Sequence, residues 1–156
     1  MFEIEYRKAG LADVQLLVDT RIDFLTEYWG EQRETDEKNL RLALNDFFEQ
    51  EISANSYVSW LAIDNENYIG AGGMKITQRP GSFKVPDGWC GYIMNIYTKP
   101  DFRRMGIAKT ILNKLIETGK EMGIHYFELH ATKEGEPVYI KHGFKIHNEP
   151  TYRFFI

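Results

Sequence analysis

The residues with the clearest chemistry run from Ile96 to Ala108, where an apolar strand pattern ends at Pro100 and passes through Arg103, Arg104 and Gly106 into a helix. A helix start presents backbone N–H groups that have no intrahelical partner, and the helix dipole adds partial positive charge there. Two arginines add full charges, and Gly106 lets an anion approach the backbone without a Cβ in the way. Successive N–H groups can then close around phosphate oxygens. Together these groups suit a pyrophosphate.

The wording of the segment excludes the two commonest phosphate loops. Ala108-Lys109-Thr110 lacks the glycine that precedes a P-loop lysine. Gly70-Ala71-Gly72-Gly73 runs on into Met74-Lys75 with no third glycine in dinucleotide register. What remains is Arg103-x-x-Gly106-x-Ala108 after a strand ending in Pro100, followed downstream by Val138-Tyr139-Ile140-Lys141-His142-Gly143-Phe144. The first resembles the acetyl-coenzyme A signature of the GNAT superfamily of N-acyltransferases. The second resembles that family's C-terminal Tyr-x-x-x-Gly-Phe motif, and the two occur in the family's order.

The resemblance implies a division of labour. The main chain of Ile96 would donate to the acetyl carbonyl, with Tyr97 and Thr98 along the pantetheine. Arg103, Arg104, Met105, Gly106, Ile107, Ala108 and Lys109 would hold the phosphates, with Thr132 near the cofactor where many members carry asparagine. Tyr139 stands at the position of the family's general acid. A phenol, with an ordinary pKa of about 10, is protonated at neutral pH and can donate to a leaving thiolate. The alternative for Tyr139 is a ring packed on the core with its hydroxyl at the surface. Direct transfer needs no enzyme nucleophile, and no Ser-His-Asp or Cys-His arrangement is legible around Cys90.

Other candidates rest on spacing alone. Glu128 and His130 are two apart and share one face of a strand, and imidazole titrates closest to neutrality, so His130 is the candidate base. A structural or surface histidine is the competing reading. Asn95 is polar within an apolar strand and faces either the reacting centre or a neighbouring element. Arg21 interrupts the apolar stripe of the first helix; it either snorkels to solvent or reaches the cleft, where it would favour a carboxylate on the substrate. The acidic residues Glu27, Glu31, Glu34, Asp36 and Glu37 either draw a cationic amine or form a solvated connection. No metal is expected: His125 and His130 face opposite sides of a strand, and His142 and His147 lack zinc spacing.

These residues must be positioned by a regular series of elements. Phe2 to Tyr6 alternates as a strand; Val14, Leu17, Val18, Ile22 and Leu25 recur at helical spacing; and Asp36 to Ser53 predicts a second helix. Tyr57–Ile63 and Tyr68–Ile76 predict a hairpin, residues 79–88 a lid-like loop, and Trp89–Thr98 the key strand. A helix from Ala108 stopped by Gly123, a strand from Ile124 to Ala131, and a short helix between Pro137 and Gly143 follow. Phe144–Ile146 and Arg153–Ile156 read as closing strands. The order predicts an α/β domain, and the resemblance makes it GNAT-like. That implies a central mixed, mostly antiparallel sheet of about six to seven strands flanked by about four helices. A splayed strand pair, here Trp89–Thr98 and Ile124–Ala131, would hold acetyl-CoA.

Composition narrows the function classes. The 156 residues suit a single domain, 1–156. The net charge of −4 carries no footprint for nucleic acid or an anionic membrane. No run approaches the roughly 20 apolar residues of a membrane helix. The acidic start and lone Cys90 give the expectation of a cytoplasmic protein. The resulting expectation is an acetyl-CoA-dependent N-acetyltransferase, an acyltransferase that passes the acetyl group to a small-molecule primary amine by direct attack in a ternary complex. Alternatives are a protein or peptide N-acetyltransferase, a silent CoA-binding or sensing module, and a site for another nucleotide. Dimers are common in the family, so a homodimer is an open expectation, with Tyr152-Arg153-Phe154-Phe155-Ile156 either finishing the core or joining a partner's sheet.

Overall fold

The computed structural model describes residues 3–156, so the Phe2 end of the predicted first strand lies outside the described residues. Five strands form one sheet in chain order: β1 (Glu5–Lys8), β2 (Tyr57–Asp64), β3 (Asn67–Gln78), β4 (Trp89–Thr98) and β5 (Phe127–Leu129). The first four are antiparallel neighbours, and β5 lies parallel to β4. Helices α1 (Val14–Trp29) and α2 (Glu34–Ser53) precede the β2–β3 hairpin; α3 (Ile107–Glu121) connects β4 to β5, and α4 (Glu136–His142) follows.

Burial on both faces explains why β3 reads as a continuous apolar and glycine run rather than an alternation. On one face Val14, Leu17, Val18 and Ile22 of α1 and Phe48 of α2 pack with Tyr57, Leu61 and Ala71. On the other, Ile107, Ile111, Leu112 and Leu115 of α3 pack with Ile69, Met74 and Ile93. Each fully buried aliphatic side chain contributes roughly 1.5–3 kcal/mol. Gly72 allows α3 to approach the sheet, since a Cβ there would stand 2.5 Å from Ile111 Cγ2.

Two local features shape the sheet's functional edge. The β3–β4 register slips between Ala71 and Gly73, and Asn95, opposite the slip, has φ +58°, a left-handed conformation that marks a β-bulge. The β4–β5 ladder comprises only Gly91–Phe127, Tyr92–Glu128 and Ile93–Leu129, and it stops just before that bulge. A bulge bends its strand, so β4 turns away from β5 and a gap opens between them.

The same bend corrects several expectations. β5 covers three residues instead of Ile124–Ala131, because pairing ends where β4 departs. Neither Phe144–Ile146 nor Arg153–Ile156 forms a strand: α4 ends at Gly143 with φ +105°, and the chain beyond it reaches no sheet edge. A strand without a neighbour has no ladder to stabilise it, so the sheet has five strands rather than six or seven. Residues 79–88 fold back on themselves through Arg79 N–H to Gly88 O (3.0 Å) and Ser82 N–H to Val85 O (3.0 Å). None of them lines the cleft described below.

Gly73 ties the fold to the bulge. A Cβ on it would lie 1.8 Å from the Tyr57 hydroxyl, and the Tyr57 ring is held by Phe47 and Phe48 at centroid distances of 5.8 and 5.3 Å. Gly73→Ala is expected to destabilise the protein by roughly 1–3 kcal/mol, the usual cost of overpacking. A urea unfolding midpoint equal to the parent's would contradict this packing.

Candidate active site

The gap between β4 and β5 opens into a cleft of about 960 Å³ that runs from Asn95, Ile96 and Thr98 to the start of α3, with Phe24 and Tyr28 of α1 on one wall and Tyr139 of α4 on the other. Its inner end is built by backbone. Lys99 N–H donates to Ile69 O at 2.9 Å, and peptide groups alternate in direction along a strand. The N–H groups of Thr98 and, two residues earlier, Ile96 are therefore directed to the edge that β5 has left. The Thr98 carbonyl on that edge accepts a hydrogen bond from Arg103 Nε at 3.0 Å.

The outer end is the N-terminus of α3. Arg104 and Gly106 both adopt left-handed conformations, with φ +63° and +81°, which turn the chain tightly into the helix. The first intrahelical bond runs from Thr110 N–H to Gly106 O (3.0 Å). The N–H groups of Gly106, Ile107, Ala108 and Lys109 are the unsatisfied group of a helix start, no side chain caps them, and the first turn has no acidic residue. All four residues line the cleft.

The cations divide differently from the expectation. Arg103 is held by Glu27 of α1 (2.6 Å) and lies over the Tyr97 ring at 5.7 Å, so its guanidinium braces α1 against β4 as well as edging the cleft. Arg104 and Lys109 line the cleft and join none of the ion pairs among the described residues. Met105 is exposed and does not line the cleft, the one residue of the predicted phosphate turn that does not. Tyr97 lines the cleft, its phenol pushed up to about 12 by burial and the nearby Glu27.

Tyr139 faces the cleft from α4, packed edge-on to Phe144 at 6.1 Å, and no protein group hydrogen-bonds its hydroxyl among the described residues. Burial raises its pKa above the ordinary value, so the phenol holds its proton throughout the neutral range. Gly135 makes room for it: a Cβ there would lie 3.1 Å from the Tyr139 ring. Thr132 also lines the cleft, but its hydroxyl accepts from Gly135 N–H at 3.2 Å and shapes the turn into α4.

His130 lines the cleft at the end of β5, with its Nδ1 2.5 Å from the Tyr92 hydroxyl, a short bond whose donor depends on the tautomer. Glu128, its neighbour on the same face, pairs with Arg79 at 2.5 Å. Burial pushes the Glu128 carboxyl up, but Arg79 and the Tyr126 hydroxyl outweigh it and hold it below the ordinary range. Cys90 is buried, and burial raises its thiol pKa, which suits packing and not attack. Among the described residues no cluster of three or more His, Cys, Asp or Glu could hold a metal, and no helix is long and apolar enough to cross a membrane.

Asn95 joins elements far apart in sequence. Its Oδ1 accepts from Arg21 at 2.9 Å and its Nδ2 donates to the Tyr57 hydroxyl at 3.0 Å. Arg21 does not line the cleft itself but touches it through Asn95 and Phe24. Sequence reasoning missed Tyr57, Tyr92 and the bracing role of Glu27, because each acts on a partner 38 to 76 residues away. Of the acidic run, Glu27, Asp36 and Glu37 are taken up by Arg103, Arg33 and Arg41.

The family model for the Acetyltransferase (GNAT) family matches residues 18–144. The chain belongs to the GNAT acetyltransferase family. Among solved structures it is similar to a predicted acetyltransferase from Clostridium acetobutylicum determined with acetyl-CoA, at 33% identity and a TM-score of 0.90, covering 97% of this chain and 96% of that one. It also resembles a GCN5-related N-acetyltransferase from Ralstonia eutropha JMP134 (23% identity, TM-score 0.87, 97% and 99% covered). Glucosamine-6-phosphate N-acetyltransferase from Arabidopsis thaliana shares the fold (17% identity, TM-score 0.72, 99% of each chain covered). A search of curated proteins found no match. The sheet is mixed, and the two motifs recognised in the sequence flank one cleft.

Proposed function

We propose that the protein is an N-acetyltransferase that passes an acetyl group from acetyl-CoA to a primary amine of a small molecule, by direct attack within a ternary complex. The observation that carries the reading is the cleft's two ends: backbone N–H groups freed by the bulge at one, and an uncapped helix start at the other. The residues present fit acetyl-CoA. Gly106, Ile107, Ala108 and Lys109 offer four N–H groups to a pyrophosphate, and Arg104 and Lys109 add charge without an internal acid to neutralise them.

At the inner end, the Ile96 N–H donates to the carbonyl oxygen as negative charge gathers on it. A donor fixed in a strand is already oriented and costs no reorganisation at that moment. The amine nitrogen bonds to the carbonyl carbon as the carbon–sulfur bond breaks. Tyr139 gives its phenolic proton to the departing sulfur, and the proton lost by the nitrogen leaves through His130 and Tyr92, which already share a hydrogen bond. The walls supplied by Phe24, Tyr28 and Tyr139 make the acceptor end a cleft suited to a small amine.

Tyr139→Phe removes the proton and keeps the ring. Its kcat for acetyl-CoA-dependent thiol release is expected to fall by about 10²-fold or more, with KM for acetyl-CoA nearly unchanged. A variant with the parent's kcat would remove Tyr139 from the reaction. Acetyl-CoA binding without thiol release on any amine would leave a binding module instead.

A further inference from the structure

Of the eight arginines, five sit in ion pairs, and Arg104 and Arg153 are exposed. Among the described residues, Arg21 alone of the arginines is partly buried and joins no carboxylate. The charges that reach it belong to the phenols of Tyr57 and Tyr92, and both phenols are held in the neutral form by burial. One face of its guanidinium lies 5.6 Å from the Phe24 ring, and Nη1 is bonded to Asn95 at the bulge. A cation taken out of water without a counter-ion is costly, and it is retained where an anion arrives to meet it.

The anion is not the cosubstrate's pyrophosphate, whose cradle is the start of α3 at the cleft's other end. Asn95 lines the cleft immediately before Ile96, and through its bond to Asn95 the Arg21 guanidinium sits directly behind that inner wall. We propose that Arg21 binds the carboxylate of the acceptor, which is a primary amine bearing a carboxylate a few bonds away, as in an amino acid. Guanidinium geometry suits this role, since its planar fork matches two carboxylate oxygens. Asn95, pinned from the far side by Tyr57, holds the guanidinium in place, and Phe24 stacks under it.

This inference rests on the N-acetyltransferase reading, and one experiment separates the two. Thiol release from acetyl-CoA is measured for a panel of amino acids, their C-terminal amides and the corresponding amino-alcohol phosphates, with the parent, Arg21→Gln and Arg21→Lys. The parent should favour acids over amides by about 10- to 100-fold in kcat/KM, the worth of a charged hydrogen bond. Arg21→Gln should erase that ratio and Arg21→Lys keep part of it. Acids and amides acetylated equally by the parent, or phosphates preferred over acids, would overturn the carboxylate site while leaving the enzyme reading intact. Absence of transfer to every amine would overturn both.

Discussion

The bulge at Asn95 governs the rest of the site. A regular β4 would continue its ladder with β5 beyond Ile93, and the N–H groups of Ile96 and Thr98 would be consumed in pairing. One left-handed residue ends that pairing, opens the cleft and leaves those donors aimed into it. The conformation is unfavourable for most residues, and asparagine is among the few that accept it. Here it is further held by Arg21 on one side and Tyr57 on the other. Gly73, by lacking a Cβ, makes room for the Tyr57 hydroxyl.

The charges are arranged to serve this geometry from two directions. Arg103 spends its charge internally, clamping α1 to β4 through Glu27 and the Thr98 carbonyl, so the cleft's wall and floor move together. Arg104, Lys109 and the open N–H groups of α3 remain unneutralised at the outer end. Arg21, behind the inner wall, joins none of the ion pairs among the described residues. In a chain of net negative charge, basic side chains thus gather along one groove, where low-dielectric walls strengthen their effect.

Local signals made much of this legible. The phosphate turn, the helix after it and the Tyr139 motif are contiguous stretches whose residue types state their conformations, and the structure places them about one cleft. Ile96 and Thr98 line the same cleft. Long-range pairing was not legible. Asn95 read equally well as a packed or a facing residue, because its partners Arg21 and Tyr57 lie 74 and 38 positions away. The pairing of Arg103 with Glu27, 76 positions earlier, has no signal in the sequence. The closing strands failed for a related reason. Alternation reports a strand's preference for a sheet, and it does not report whether the same chain offers an edge.

In the proposed reaction acetyl-CoA spans the cleft, with its carbonyl at the Ile96 N–H and its pyrophosphate at the start of α3. Amide hydrogen exchange with and without acetyl-CoA tests both ends in one experiment. Exchange is expected to slow at Ile96 and Thr98 and at Gly106 to Lys109, with little change along β1 and β2. Binding that leaves the Ile96 and Gly106 amides exchanging at their free rates would contradict it.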